Sequence, residues 1–336
     1  LLRISVATAG NDHRLGANEA PPAVVSMFLG DELAAILGCI EHDAPYTGID
    51  TGKVKLGVDV LPRFRRDTTD RNRTSPFAFT GNKFEFRMVG SADSIACANI
   101  MINTAVAESL RVYADRLEGT EDFEATLQAM IRKTIQDHKR IIFNGNGYDD
   151  AWIREATEQR GLLNYRTTPD CVPHLLDEKN VALLTGHKVF TRAELESRYE
   201  VTLENYCKTI IIEANTMVDM ARTEIIPAVQ AFTCDTAKTA AAKKELVPGC
   251  PCAYETELVK KLSSLTDQMA AKTAELEQAV LALAGAGDIR RESESIRDIV
   301  LPKMGELRLA CDEAETLTAR KYWPFPTYGD LLFGVR

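Results

Sequence analysis

The chain has 336 residues, 45% of them hydrophobic and 26% charged, which is enough for about two domains with sizeable cores. Its formal net charge of −9 argues against a nucleic-acid or anionic-membrane surface, which would need a basic patch. No apolar run approaches the roughly 20 residues that a membrane-spanning helix requires.

The first residues, Leu1 to Val6, lack the charged lead and long apolar stretch of a signal peptide. With no initiator methionine, the chain is expected to open partway through a larger protein. Val24 to Leu29 reads as a buried strand and Asp31 to Glu41 as a short helix. Gly52 to Leu61 alternates apolar and polar residues and reads as another strand. Phe77 to Thr80, then Gly81-Asn82, then Lys83 onward reads as a β-hairpin. Glycine first in a two-residue loop suits a type II′ turn.

After Ser91 the period changes from 2 to 3.6. Val106, Leu110, Tyr113 and Leu117 mark one amphipathic helix, and Phe123, Leu127, Met130, Ile131, Ile135, Ile141 and Ile142 mark a second. Asn144-Gly145-Asn146-Gly147 reads as the stop of that second helix. Residues 191–232 form a long helical stretch with Leu203, Cys207, Ile210, Ala214, Met217, Ala221 and Ile225 on one face, bent or ended by Pro227. Leu258, Leu262, Leu265, Met269, Leu276, Val280 and Leu283 recur at near-heptad spacing. Gly285 and Gly287 turn the chain into an antiparallel return over 288–320, with a break expected at Pro302. Residues 321–336 form an aromatic and proline-rich tail expected to dock on a surface.

The eight cysteines are scattered, and Cys250-Pro251-Cys252 has no second pair to complete a zinc tetrahedron. Reduced thiols in a cytoplasmic protein are the expectation.

Three polar stretches carry residues suited to chemistry. In Asn11 to Pro22, Arg14 could hold a carboxylate and Glu19 could accept a proton, although alone the stretch is an ordinary surface loop. In Asp70 to Pro76, Arg71 and Arg73 make a phosphate clamp or simply a charged turn. In Lys83 to Met88, alternation puts Lys83, Glu85 and Arg87 on one strand face and Phe84, Phe86 and Met88 on the other. A carboxylate flanked by cations can serve a divalent ion and anionic oxygens. It is equally a half-solvated strand with ion pairs.

Taken together and in this order, the three stretches resemble the glutamine synthetases. Asn-Asp-His-Arg-Leu-Gly-Ala-Asn-Glu-Ala-Pro-Pro (11–22) is similar to their glutamate-binding flap. Asp-Arg-Asn-Arg-Thr-Ser-Pro (70–76) is similar to their arginine-rich phosphate segment, and Lys-Phe-Glu-Phe-Arg (83–87) to their metal-and-substrate strand. The motif wording and the ending Lys-Tyr-Trp-Pro-Phe-Pro-Thr-Tyr-Gly-Asp-Leu-Leu-Phe (321–333) resemble the type III family. The implied fold class is α+β. Residues 1–118 would be the C-terminal part of the catalytic antiparallel sheet domain. Residues 119–336 would be a large all-α C-terminal region with a long helical hairpin over 253–320.

The resemblance implies an ATP-dependent ligase joining L-glutamate and ammonia into L-glutamine through γ-glutamyl phosphate, with Mg²⁺ or Mn²⁺ and ATP. It implies that Arg14 binds the α-carboxylate and that Glu19, on the flap, helps deprotonate ammonium. Arg73 would hold the transferring phosphoryl group, Glu85 would ligate the metal and Arg87 would contact the γ-carboxylate side. Lys83 falls where relatives have an arginine facing ATP, and Ala78 falls near another such arginine and cannot replace it. The family's remaining acidic and histidine ligands would precede Leu1, so this chain alone is expected to be inactive. Self-association into stacked hexameric rings, a dodecamer, is implied as well. The alternatives are a γ-glutamyl ligase for another amine and a non-catalytic assembly protein.

Overall fold

The computed structural model describes residues 1–17, 20–48, 53–54, 64–65, 72–283 and 287–334. Its contacts divide the chain into two compact units, Leu1–Thr202 and Leu203–Arg336. No helix among the described residues is long and apolar enough to cross a membrane.

Among the described residues the strands all lie in the first unit. Helix α1 (Ala9–Arg14) begins in what the sequence suggested was loop, because the Thr8 hydroxyl accepts the Asn11 N–H and caps it. Strands β1 (Met27–Phe28), β4 (Phe77–Phe79) and β5 (Phe84–Phe86) form one sheet in the order β1-β4-β5. The sheet is mixed, where an antiparallel one was expected: β1 pairs parallel to β4, and β4 antiparallel to β5. Of the expected strand at Val24–Leu29 only Met27–Phe28 is strand. Strands β2 (Lys53–Val54) and β3 (Phe64–Arg65) pair antiparallel, and the rest of the expected 52–61 strand lies outside the described residues.

The turn between β4 and β5 follows its sequence. Thr80 N–H donates to the Lys83 carbonyl, and Gly81 has φ +91°, the sign a type II′ turn requires at its first loop position. On one hairpin face Phe77, Phe79, Phe84 and Phe86 contact one another, with ring centroids 5.2–5.9 Å apart. Burial on this face is graded. Met88 is fully buried beside Val6 and Leu15, whereas Phe84 at the hairpin tip is 49% exposed.

Helices surround this sheet in the sequence: α2 (Asp31–His42), α3 (Ala96–Leu117), α4 (Phe123–His138), α5 (Asp150–Arg154), α6 (Thr168–Cys171) and α7 (Glu178–Gly186). Arg132 within α4 and Lys139 just after it reach Asp43 and Glu41, tying the second half of α4 to the end of α2. The expected core stripe of α3 is not its core. Ala98, Met101 and Thr104 are buried, while Val106 and Leu110 are exposed, because only the first half of α3 meets the cluster of Leu175, Val181, Leu184 and Leu195. Helix α4 stops at His138, before Asn144. Phe143 N–H then donates to the Met27 carbonyl and brings the chain alongside β1.

The second unit is helical. Helix α8 (Arg192–Met220) runs into a single π turn at Ala221–Ile225 and then α9 (Ile226–Leu246). Helix α11 (Ile289–Ser295), a π turn at Ile296–Val300 and α12 (Leu301–Leu317) repeat the device. Pro227 was expected to bend or end its helix and Pro302 to break its own. Each sits in the first turn after a π turn, whose wider loop accommodates the missing N–H and the ring. Helix α10 (Ala253–Ala282) buries Leu258, Leu262, Leu265, Met269 and Leu276. Lys261–Glu313, Lys272–Glu306 and Glu275–Lys303 are ion pairs whose numbers run oppositely, so α12 lies antiparallel to α10. The tail reaches α9 through Tyr322, which contacts Phe232 and donates to Asp235, whereas α13 (Tyr328–Phe333) leaves Leu331, Leu332 and Phe333 exposed. Burial pushes the Cys171 and Cys207 thiols up to about 12 and that of Cys311 to about 11.

The start of the chain is held by a buried ion pair. Arg3 donates to Asp12 at 2.5 Å and to the Tyr165 and Arg166 carbonyls, and the Thr168 N–H and hydroxyl donate to the same carboxylate. Burial raises the Asp12 pKa, although Arg3 and Thr168 pull it down. A raised carboxylate contributes most below its unfolded value near 3.8 and loses ground as pH rises through its folded value. At neutral pH, Asp12→Ala leaves Arg3 buried without its counter-ion, and an expected loss of about 3–5 kcal/mol follows, measured by denaturant unfolding.

Helices α3 and α7 are joined differently. Arg111 and then His187 hydrogen-bond Glu108 and hold its carboxyl down to about 2. A depressed carboxylate stabilises above its usual value near 4.5 and ceases to as pH falls towards 2. The melting-temperature advantage of the wild type over Glu108→Gln should therefore be full at pH 6 and gone near pH 2.

Candidate active site

The polar face of the hairpin gathers the residues that the sequence singled out. In the β4–β5 register Glu85 stands opposite Ala78, which is fully buried and fills no more room than a methyl group. The Arg87 guanidinium turns back along its own strand, donating from Nε at 3.1 Å and Nη2 at 2.9 Å to Glu85 Oε2. Its Nη1 donates to the Asn72 carbonyl at 2.6 Å. Lys83 Nζ lies 3.7 Å from Glu85 Oε1, which also accepts from the Thr80 hydroxyl at 3.4 Å. The alternation read from the sequence therefore places Lys83, Glu85 and Arg87 on one face.

Charge explains the titration of this face. The Arg87 hydrogen bonds, with its charge and that of Lys83 behind them, hold the Glu85 carboxyl below the usual range. Its contribution to stability is therefore present above about 4.5 and lost as pH falls through the folded value.

Arg14 reaches the same strand from α1. Its Nη1 donates to the Met88 carbonyl and to Asn11 Oδ1, both at 3.1 Å, and Nη2 donates to the Arg87 carbonyl at 3.3 Å. Among the described residues its Nε makes no hydrogen bond, so the side edge of the guanidinium, Nε with the second Nη2 hydrogen, is open to a carboxylate. Asn11 is the residue that sequence reasoning missed. It is 2% exposed, its amide donates to the Val6 and Met88 carbonyls at 2.8 Å, and its oxygen receives Arg14. The sequence signal was an Asn three residues before the arginine, within one helical turn.

Arg73 is exposed and makes no hydrogen bond or ion pair among the described residues, but its neighbour Asn72 is bonded to Arg87. Glu19 lies outside the described residues, as do Asp70 and Arg71. The structure thus joins Arg14, Lys83, Glu85 and Arg87 in one network and puts Arg73 one residue from it.

Glu85 by itself does not fit a divalent metal ion. Both oxygens already face cations, and such an ion takes six or more oxygen ligands. Among the described residues no group of three or more His, Cys, Asp or Glu side chains could hold one.

Comparison with known proteins gives this helical chain with its small polar sheet a family. Residues 126–244 match the family model described as glutamine synthetase C-terminal domain. The chain is 40% identical to a glutamine synthetase of Butyrivibrio fibrisolvens, over 100% of its own length and 48% of that protein's. It is 37% identical to the type-3 glutamine synthetase of Dictyostelium discoideum, over 99% of its length and 46% of the relative's. It is 35% identical to a glutamine synthetase of Bacteroides fragilis, over 99% and 47%. The chain therefore belongs, over its whole length, with the glutamine synthetases, type 3 among them, and spans about half the length of these relatives.

The Arg87–Glu85 bond is open to a direct check. Arg87→Ala should raise the Glu85 carboxyl back towards the usual carboxylate range in a ¹³C-carboxyl NMR titration. An unchanged titration in that variant would show that Arg87 is not what depresses it.

Proposed function

We propose that this chain supplies part of the active site of an ATP-dependent glutamate–ammonia ligase. The observation that carries the reading is the convergence of Arg14 and Arg87 on Glu85's strand, with Arg14 keeping one guanidinium edge open, in a chain related end to end to glutamine synthetases. In this reading ATP phosphorylates the γ-carboxylate of glutamate, and ammonia then displaces phosphate to give the amide.

Each residue has a task that its surroundings suit. Arg14 takes the α-carboxylate on its open edge. Arg73, exposed and uncompensated, neutralises the transferring phosphoryl group, since phosphoryl transfer rests on positioning and charge. Arg87 faces the γ-carboxylate side, Lys83 faces the nucleotide, and Glu19 on the flap takes a proton from ammonium. Glu85 is proposed as one ligand of the Mg²⁺ or Mn²⁺ of the reaction. Because its own surroundings do not complete a site, the remaining oxygen donors come from outside the described residues. We also assign the protein to a cytoplasmic homo-oligomer of stacked hexameric rings, a dodecamer.

A γ-phosphonate analogue of γ-glutamyl phosphate tests the reading without turnover. Calorimetric titration should show binding to the chain, weakened at least tenfold in Arg14→Ala and in Arg73→Ala. Equal affinity in all three proteins, or none in the wild type, would sink it. With a single carboxylate for the metal, the chain alone is expected to form no more glutamine from glutamate, ammonium and MgATP than Glu85→Ala does.

A further inference from the structure

The segment Asn144-Gly145-Asn146-Gly147 does not stop a helix, since α4 ends at His138, and although Gly145 and Asn146 are exposed, Gly147 is buried. Asn144 Oδ1 accepts the Leu29 and Gly30 N–H groups, at 3.1 and 3.2 Å, and so is pinned to the end of β1. The following residues lie against the turn that carries Arg73. Asn72 Nδ2 donates to the Gly145 carbonyl at 2.9 Å and to that of Asn144 at 3.4 Å. Gly147 N–H donates to the Thr74 hydroxyl at 2.7 Å, and the Thr74 hydroxyl and N–H both donate to Asn72 Oδ1. Asn72 adopts φ +24°, a conformation uncommon for a residue with a side chain, so something outside it must hold it there. Its carbonyl is the one that receives Arg87.

These bonds form one line from loop 144–147, through Asn72 and Thr74, to Arg87 and Glu85. Arg73 sits inside that line with its own side chain unbonded among the described residues. Its backbone placement therefore depends on its two neighbours, and theirs on the loop. The approach is close enough that a β-carbon at Gly147 would overlap the Thr74 carbonyl oxygen, which is backbone and cannot swing away. Gly147 is not at positive φ, so the demand for glycine there is one of space alone.

We infer that Asn144 and Gly147 are positioning residues: they set the geometry of the Asn72–Thr74 turn, and through it the placement of Arg73 and Arg87. The inference rests on the function proposed above only for what the positioned arginines bind. The positioning itself is independent of it.

The test uses the ¹⁵N-labelled chain and the exchange rate of the Arg87 Nε–H, which is protected in the wild type by Glu85. Asn144→Ala and Gly147→Ala should each raise that rate at least tenfold, while amide exchange in α10 and α12 stays unchanged. Asn144→Asp keeps an oxygen for the Leu29 and Gly30 N–H groups and should remain within twofold of wild type. Thr74→Val removes the hydroxyl that receives Gly147 and that itself donates to Asn72 Oδ1, so it opens the same turn without touching the glycine and should raise the rate at least tenfold, which covers the case in which the glycine variant fails to fold. Unchanged exchange in Asn144→Ala and Thr74→Val, or an Asn144→Asp protein that behaves like Asn144→Ala, would overturn the inference. Binding of the γ-phosphonate analogue should weaken at least tenfold in Asn144→Ala and be retained in Asn144→Asp. Absence of analogue binding in the wild type would count against the proposed function alone, since the Arg87 exchange rates still decide the positioning role.

Discussion

One guanidinium holds the polar face together. Arg87 grips Glu85 on its own strand with two N–H groups and the carbonyl of Asn72 with a third, while Arg14 holds the Arg87 carbonyl from behind. Planarity is what makes this possible: a fork of donors in fixed directions can satisfy a carboxylate and a carbonyl at once, which an ammonium on a flexible stem does less well. Lys83 illustrates the contrast. It is 66% exposed and stands 3.7 Å from the same carboxylate, an arrangement worth little in water, on the order of 0–1 kcal/mol.

Under this polar face lies a gradient of burial. Met88 is sealed against Val6 and Leu15, Phe77, Phe79 and Phe86 are half-buried, and Phe84 near the Gly81 turn is 49% exposed. The strand is therefore anchored at its Met88 end, where Asn11 and Arg14 also attach, and the charged residues project from a segment whose base cannot shift without opening the core. Anchoring by buried amide-to-carbonyl bonds is costly to disturb, because a buried carbonyl left without a donor loses about 1–3 kcal/mol. The second unit needs no such device. Its helices are held by a continuous apolar stripe on α10, with ion pairs at its margins that add register more than energy.

What could be read from the sequence follows the range of each signal. The hairpin was legible because a two-residue Gly81-Asn82 loop and strict alternation are local. Leu258 to Leu276 were legible as core because their spacing is local too. Val106 and Leu110 were misread because periodicity reports which residues share a face and not how far along the helix a partner extends. The break expected at Pro302 is absent because a proline's cost can be absorbed by a π turn, which leaves no mark in the pattern. The candidate site divides in the same way. Lys83, Glu85 and Arg87 share a face by arithmetic, whereas Asn11, Asn72 and Asn144 act through bonds to backbone carbonyls and N–H groups far away in the chain, and a sequence carries no record of those partners.

The two oxygens of Glu85 are not equivalent, and this decides how the site can meet a ligand. Oε2 takes both hydrogen bonds from Arg87, whose side chain is 19% exposed and is also anchored on Asn72. Oε1 is met by a hydroxyl at 3.4 Å and an exposed ammonium at 3.7 Å, both longer than the bonds that Arg87 makes to Oε2. A ligand approaching from solvent therefore displaces Lys83 and Thr80 before it disturbs Arg87. The carboxylate can change partners on one side while the strand, the Asn72 turn and the arginine that joins them stay where they are. A rigid acceptor edge beside an exchangeable one lets a single carboxylate serve at once as a structural anchor and as a point of contact.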